Sequence, residues 1–150
     1  MELLREHTED AEHLRAFHAM NATYFAAFER GETEAVGTMI DFYGGAGTYA
    51  SWPVRVRAYA AETAAVNILD WQSAYAFPLT VNALSAIDVP ALVLWGGASH
   101  PAAQQANARL GQCIRGAATG AIDGAAHFMI ATHAGEVARM LGSHIEGIAG

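Results

Sequence analysis

The spacing of apolar residues along the first half of the chain is that of α-helices. Over residues 10–30, apolar side chains recur every three or four positions and a glycine follows, which predicts one long amphipathic helix. A second helix is predicted over 32–42, where acidic residues occupy the first turn and a run of glycines comes after the last. Two shorter helical patterns lie within 53–77, before a proline. We therefore expect residues 1–87 to form a helical region.

The pattern changes in residues 88–150, where short apolar runs alternate with helical segments. Residues 91–95 are continuously apolar, preceded by a proline and followed by two glycines, which is typical of a parallel strand buried on both faces. Helix is predicted over 101–113, a weaker strand over 117–122, and an amphipathic closing helix over 137–148. The order β-α-β-α predicts the α/β fold class, with this part forming the C-terminal segment of a parallel sheet.

Composition narrows the classes of partner. The 150 residues are 53% hydrophobic and 15% charged, as in ordinary globular domains, and the net charge is -7 with eight basic residues, all arginine. Such a chain would repel a phosphate backbone, so we expect no nucleic acid partner. The N-terminus carries charge from Glu2 and lacks a signal-peptide pattern, and the most apolar stretch, 89–98, is shorter than the ~20 residues of a membrane span. These features predict a soluble cytoplasmic protein that does not contact membranes.

Two segments of the second half together resemble a known family. Residues 87–96 read Ile-Asp-Val-Pro-Ala-Leu-Val-Leu-Trp-Gly, and residues 123–128 read Asp-Gly-Ala-Ala-His-Phe. They resemble the last two strands of an α/β-hydrolase, strand seven with its glycine exit and strand eight leading into a glycine-then-histidine loop. Residues 132–137 resemble the start of that family's final helix, and the helices of 1–87 resemble its cap. The resemblance implies a partial α/β-hydrolase fold, a helical cap followed by a β-α-β-α segment.

The resemblance assigns His127 the role of general base. An imidazole titrates near neutral pH, so it can accept the proton of a nucleophile and pass it to a leaving group. The family's nucleophile lies on a Gly-x-Ser-x-Gly elbow, and this sequence contains no such pentapeptide. We expect the elbow and the preceding strands to lie outside the chain. The complete protein would hydrolyse a small-molecule ester, or a related acyl or carbon–carbon bond, whereas the isolated chain would be inactive.

The acid of the catalytic triad is not identified by the sequence. Ser99 stands where many family members carry an aspartate after strand seven, and some members place the acid after strand six instead. Ser99 or His100 can equally be a helix cap in front of Pro101. A minimal enzyme using Ser99 with His127 is a third hypothesis. The rival from another class is a non-catalytic binding or assembly module, in which the hydrolase-like part serves only as an interaction surface. Whichever function holds, we expect the chain to self-associate through an exposed sheet edge.

The helical region contains candidates for lining a substrate pocket but none for binding a cofactor or a metal. Among its aromatic residues, Phe42 and Trp52 are the candidates for roofing a substrate pocket. Residues 45–50 match the dinucleotide fingerprint Gly-x-Gly-x-x-Ala, but a helical pattern precedes them and Pro53 follows, so a turn between helices is expected and no cofactor is predicted. The three histidines within 7–18 fall on different helix faces, and no metal is predicted.

Overall fold

A computed structural model describes residues 2–149, and most of them are helical. The helices are α1 (Glu2–Arg5), α2 (Ala11–Glu29), α3 (Val36–Gly44), α4 (Thr48–Ser51), α5 (Val54–Glu62), α6 (Ala64–Ala76), α7 (Val81–Ser85), α8 (Pro101–Cys113), α9 (Met129–Thr132) and α10 (Ala134–Ala149). The strands are β1 (Leu92–Gly96) and β2 (Ala118–Ile122), and short 3-10 turns occupy Thr8–Asp10 and Thr33–Ala35.

The predicted fold class is wrong. Instead of an α/β segment from a parallel sheet of several strands, the described residues contain two parallel strands within a mostly helical chain. Leu92 lies opposite Ala118 and Gly96 opposite Ile122. The physical reason is that an apolar run identifies a buried strand but not the number of strands beside it. Even within residues 88–150, more residues are helical than extended, because each strand has five residues whereas α8 has 13 and α10 has 16.

Helix α2 forms where the apolar spacing predicted a long helix. Phe17, Met20, Tyr24 and Ala27 recur at intervals of three and four, and all four are buried on one face of the helix. Gly31 follows the helix with a φ of +82°, a left-handed conformation that favours glycine and ends a helix without strain. Local sequence therefore determines both the inward face of α2 and the point where the chain reverses.

The buried side chains form three clusters. One lies between α2, α3 and α6 and includes Tyr24, Ile40 and Ile68. A second joins α1, α2 and α3 to α8, and a third packs against β1; their buried members are Leu4, Phe17, Met20, Tyr43, Ala102 and Ala103 in the second, and Leu3, Leu84, Val93 and Ile114 in the third. The helices before residue 88 and the segment after it therefore share apolar cores.

A buried carboxylate reinforces the contact between α8 and the start of α2. Asp10 is 1% exposed, and its carboxylate accepts hydrogen bonds from Arg109 Nε at 2.6 Å and Gln105 Nε2 at 2.7 Å. The hydrogen bond from Arg109 lowers the pKa of Asp10, with the Gln105 bond adding to it against the opposing effect of burial. Asp10 is thus charged and fully paired at neutral pH.

The closing helix α10 packs on the sheet through part of its apolar face. Met140 lies over Gly120 of β2. Further along the helix, Leu141, Ile145 and Ile148 are 45%, 63% and 51% exposed. Among residues 2–149, no helix has the length and apolar character needed to span a bilayer.

Candidate functional site

Two loops meet at the carboxyl ends of β1 and β2. Because the strands are parallel, both loops leave the sheet at the same end of the strands. Hydrogen bonds then join the two loops. The Gly97 amide donates to the Ile122 carbonyl at 2.9 Å, and the Ala98 amide donates to the Ala125 carbonyl at 2.8 Å. The loop after β1 therefore holds the loop that carries His127.

Gly96 is the point of closest approach between the two loops. A Cβ atom built there would lie 2.7 Å from the carbonyl carbon of Ala126 and would overlap the carbonyl oxygens of Ala125 and Ala126. These are backbone atoms, which cannot rotate away as the end of a flexible side chain would. Glycine is therefore required at this position if the His127 loop is to keep its place.

His127 is held against the helical region by its backbone and its ring. Its amide donates to the Tyr43 carbonyl at the end of α3 at 3.3 Å, and its imidazole lies 4.7 Å from the Tyr43 ring, centroid to centroid. The Phe128 ring meets the imidazole edge-on at 5.5 Å. The residue is exposed on its remaining side, where it forms part of the wall of an open cavity.

The cavity beside His127 has a volume of about 350 Å³ and a mainly apolar wall. Its principal lining residues are Met39, Tyr43, Asn67, Asp70, Trp71, His127 and Phe128. They come from α3, from α6 and from the loop after β2. The cavity thus exists only because the N-terminal helices pack against this loop.

The surroundings of His127 favour its neutral form. Desolvation by the neighbouring rings lowers the pKa of His127 below its ordinary value of 6.5. A carboxylate paired with the imidazole would raise that pKa instead, and within residues 2–149 no group hydrogen-bonds to either ring nitrogen. The site therefore presents a neutral imidazole, free to accept a proton at neutral pH, without the acid of a triad.

Ser99 lies in the loop after β1 and is 5% exposed. Its amide donates to the Gly96 carbonyl at 3.0 Å, and its carbonyl accepts from Gln104 Nε2 at 2.8 Å. Among the residues that the structure describes, no hydrogen bond joins Ser99 to His127. The cap of α8 is His100, whose Nδ1 accepts from the Ala102 amide at 3.1 Å.

The two aromatic candidates occupy different places. Phe42 stacks on His100 with ring centroids 4.0 Å apart and packs against Phe17 in the core, away from the His127 cavity. Trp52 meets Phe128 edge-on at 5.2 Å and lines a neighbouring cavity. Of the two, Trp52 is the one whose surroundings could contact a ligand that also reaches His127.

Sequence reasoning did not identify Asn67 and Asp70, the two polar side chains of α6 that line the His127 cavity. Polar residues on an amphipathic helix are usually solvated, so their type and spacing carry no local signal. Trp71, the next residue, is one of two aromatic residues in that helix, and it stacks on Tyr43 with centroids 5.7 Å apart. Only the packing of α6 against α3 brings these side chains to the site.

The structure also describes the segments considered for cofactors and metals. Residues 45–50 form a turn into the short helix α4, and the Asp41 carboxylate accepts from the amides of Gly47 at 3.2 Å and Tyr49 at 2.7 Å. The amides that could bind a phosphate are therefore already paired with an acidic side chain. Over the described range, no group of three or more His, Cys, Asp or Glu side chains could hold a metal ion.

No family model matches the chain, and neither a curated protein nor a solved structure matches it.

Proposed function

We propose that this chain contributes the general base and an apolar substrate cavity to a hydrolase-type acyl-transfer site, whose nucleophile comes from a segment other than the residues described. His127 is the base, and a small-molecule ester or related acyl compound is the substrate. On this proposal, the chain alone is inactive as a serine hydrolase, because it has the base without a Gly-x-Ser-x-Gly elbow.

The observation that carries the proposal is the placement of His127. Its imidazole lines an apolar cavity, its ring nitrogens have no partner among the described residues, and its surroundings lower its pKa. A neutral imidazole beside a cavity that can hold a ligand is the arrangement that general-base catalysis requires.

A relationship to the α/β-hydrolases is part of the proposal. Two features support it: the glycine exit of β1 at Gly96, and the close packing of that exit against the loop that carries His127. The relationship rests on these loops and on the sequence resemblance.

The test uses two reagents on the purified chain. The first is p-nitrophenyl butyrate, an activated ester that an imidazole can cleave slowly without a serine, by activating water or by direct attack on the carbonyl. We expect release of p-nitrophenol to fall roughly tenfold or more in His127→Gln, as the loss of a general base implies. His133→Gln is the matched control, since His133 lies outside the cavity and bonds to Thr132.

The second reagent is a fluorophosphonate probe, with adducts mapped by mass spectrometry. We expect no labelled serine. Stoichiometric labelling of Ser99 that disappears in His127→Gln would overturn the proposal in favour of a minimal hydrolase. Ester cleavage that is equal in wild type, His127→Gln and His133→Gln would show that His127 is not a base.

A second candidate function, a non-catalytic assembly module, is favoured by the surface of α10. Leu141, Ile145 and Ile148 lie at helical spacing and leave a continuous apolar stripe exposed. Within the described part of the chain, β1 and β2 pair only with each other, so each strand keeps one unpaired edge. We propose that a second copy of this chain covers these surfaces.

Size-exclusion chromatography with light scattering tests this assembly. Wild type is expected to elute as a dimer or larger species, and Ile145→Glu is expected to shift it toward monomer. Ser143→Glu adds the same charge at an exposed polar position of the helix and should leave the assembly intact. A monomeric wild type with a cooperative thermal transition would rule out self-association.

A further inference from the structure

A second cavity adjoins the His127 cavity. It has a volume of about 270 Å³ and lies between α3, α5 and Trp52. Three residues, Met39, Asn67 and Phe128, line both cavities. A ligand beside His127 can therefore continue past Phe128 into the second space.

Asn67 is a polar residue shared by both cavities, and its hydrogen bonds leave one group free. Its Oδ1 accepts from the hydroxyl of the fully buried Tyr24 at 3.0 Å, shorter than the 3.3 Å from the same hydroxyl to the Ala64 carbonyl, and this bond orients the amide. Within the described residues, nothing accepts a hydrogen bond from Asn67 Nδ2. The junction of the two cavities therefore contains an amide N–H group ready to donate to a ligand acceptor.

The charges of the two walls restrict the ligand further. The second cavity is lined by apolar and neutral side chains only, as far as the described residues show. The first contains Asp70, whose carboxylate repels anions. A ligand that fits both therefore has an acceptor oxygen for Asn67, an apolar tail for the second cavity and no negative charge. These features disfavour free carboxylic acids and phosphorylated compounds.

We propose that the two cavities together bind a neutral carbonyl compound, with its carbonyl oxygen accepting from Asn67 Nδ2 and an apolar tail filling the second cavity. Assigning this ligand as the substrate of His127 rests on the proposed function, whereas the binding site itself does not. The substrate class that follows is an ester or related acyl compound whose acyl group is a medium-length apolar chain. Asn67 then determines where the carbonyl lies, and the second cavity determines the preferred tail.

The probes are unbranched 2-alkanones from 2-butanone to 2-decanone, which carry the carbonyl and tail but cannot be hydrolysed. Trp71 lines the first cavity and Trp52 the second, so intrinsic fluorescence reports occupancy of both. Because burying a methylene favours binding, we expect affinity to increase about fourfold per added methylene until the second cavity is filled. Binding should not require His127, and His127→Gln is expected to keep the same dependence on chain length.

Two variants separate the roles of the tail and the carbonyl. Ala60→Phe places a ring in the second cavity and should abolish the gain with chain length while leaving 2-butanone unaffected. Its control is Ala58→Phe, at an exposed position of α5 that lines neither cavity. Asn67→Asp keeps an acceptor for Tyr24 but loses the N–H donor, and should weaken every ketone by roughly tenfold or more, because one hydrogen bond is lost and the new carboxylate repels the ketone oxygen.

The outcomes distinguish this site from the proposed catalysis. Chain-length-dependent binding with no ester cleavage by His127 would leave the site standing and remove the acyl-transfer function. A flat dependence on chain length in wild type, or one that Ala60→Phe does not change, would overturn the tail assignment. Equal affinities in wild type and Asn67→Asp would overturn the assignment of the carbonyl to Asn67.

Discussion

Replacing Gly96 by alanine should displace the loop that carries His127. The added Cβ would lie 2.7 Å from the Ala126 carbonyl carbon, whereas ordinary contact begins near 3.4 Å. The two loops must therefore separate by at least about 0.7 Å, and by more at the Ala125 and Ala126 carbonyl oxygens, which lie closer still. This weakens the hydrogen bond from the Ala98 amide to the Ala125 carbonyl. His127 follows Ala126 directly, so its imidazole moves with the loop.

The expected cost follows from overpacking a buried backbone contact. Such insertions typically destabilise by about 1–3 kcal/mol, and we take about 2 kcal/mol for Gly96→Ala. For a chain of 150 residues, this lowers the melting temperature by about 6 °C. Displacing a catalytic group by a large fraction of an ångström reduces rates strongly, so His127-dependent cleavage of p-nitrophenyl butyrate should fall by roughly tenfold or more.

Thermal denaturation followed by circular dichroism, together with the ester assay, measures both effects. Gly142→Ala is the matched control, because Gly142 lies within α10 with no atom within 4 Å of an added Cβ. Alanine there should stabilise the helix by up to about 1 kcal/mol and leave cleavage unchanged. A Gly96→Ala variant that melts and cleaves like wild type would refute the argument that glycine is required for the two loops to approach.

Two further predictions concern charge and pH. Asp10→Asn should lower the free energy of unfolding at neutral pH by about 2 kcal/mol, because it replaces a charge-assisted hydrogen bond to Arg109, and urea denaturation measures the loss. Since the folded-state pKa of Asp10 lies below its ordinary 3.8, this contribution is present above pH 3.8 and is lost as the pH falls through the folded value. A free energy of unfolding that falls equally with acid in wild type and Asp10→Asn would contradict this. The pKa of His127 is also lowered, so the unfolded chain binds its proton first, and stability should fall as the pH drops below 6.5. The melting temperature should therefore change less between about pH 7.5 and 5.5 in His127→Gln than in wild type. An equal change in the two proteins would count against a lowered pKa of His127.

Local sequence was sufficient to place several elements. The helix predicted over 101–113 is observed as α8 with the same ends, because Pro101 suits the first turn and apolar spacing continues to Cys113. The strands predicted over 91–95 and 117–122 are observed within one residue of those bounds, paired in parallel. The helix predicted from residue 32 begins later, at Val36. A 3-10 turn precedes it, and such turns are frequent at the N-termini of α-helices.

Fold class and cavity depend on contacts distant in sequence, which periodicity does not encode. The apolar run at β1 is compatible with a sheet of any size, and the fold class inferred from it was wrong. His127 could be proposed from its glycine-rich loop, but Asn67 and Asp70 could not, because their role arises only where α6 packs beside α3. Ser99 and Phe42 are the converse case, because their positions in the sequence suggested roles at the site. In the structure, the Ser99 carbonyl accepts from Gln104 and the Phe42 ring stacks on His100.

The measurement that tests the central claim most directly is the pH dependence of p-nitrophenyl butyrate cleavage, taken as the difference between wild type and His127→Gln. If His127 is a neutral base in an apolar cavity, this difference increases with pH and reaches half its maximum below 6.5, since desolvation lowers the pKa of its imidazole. A midpoint at or above 6.5, or no difference between the two proteins at any pH, would contradict the assignment of His127 as the base.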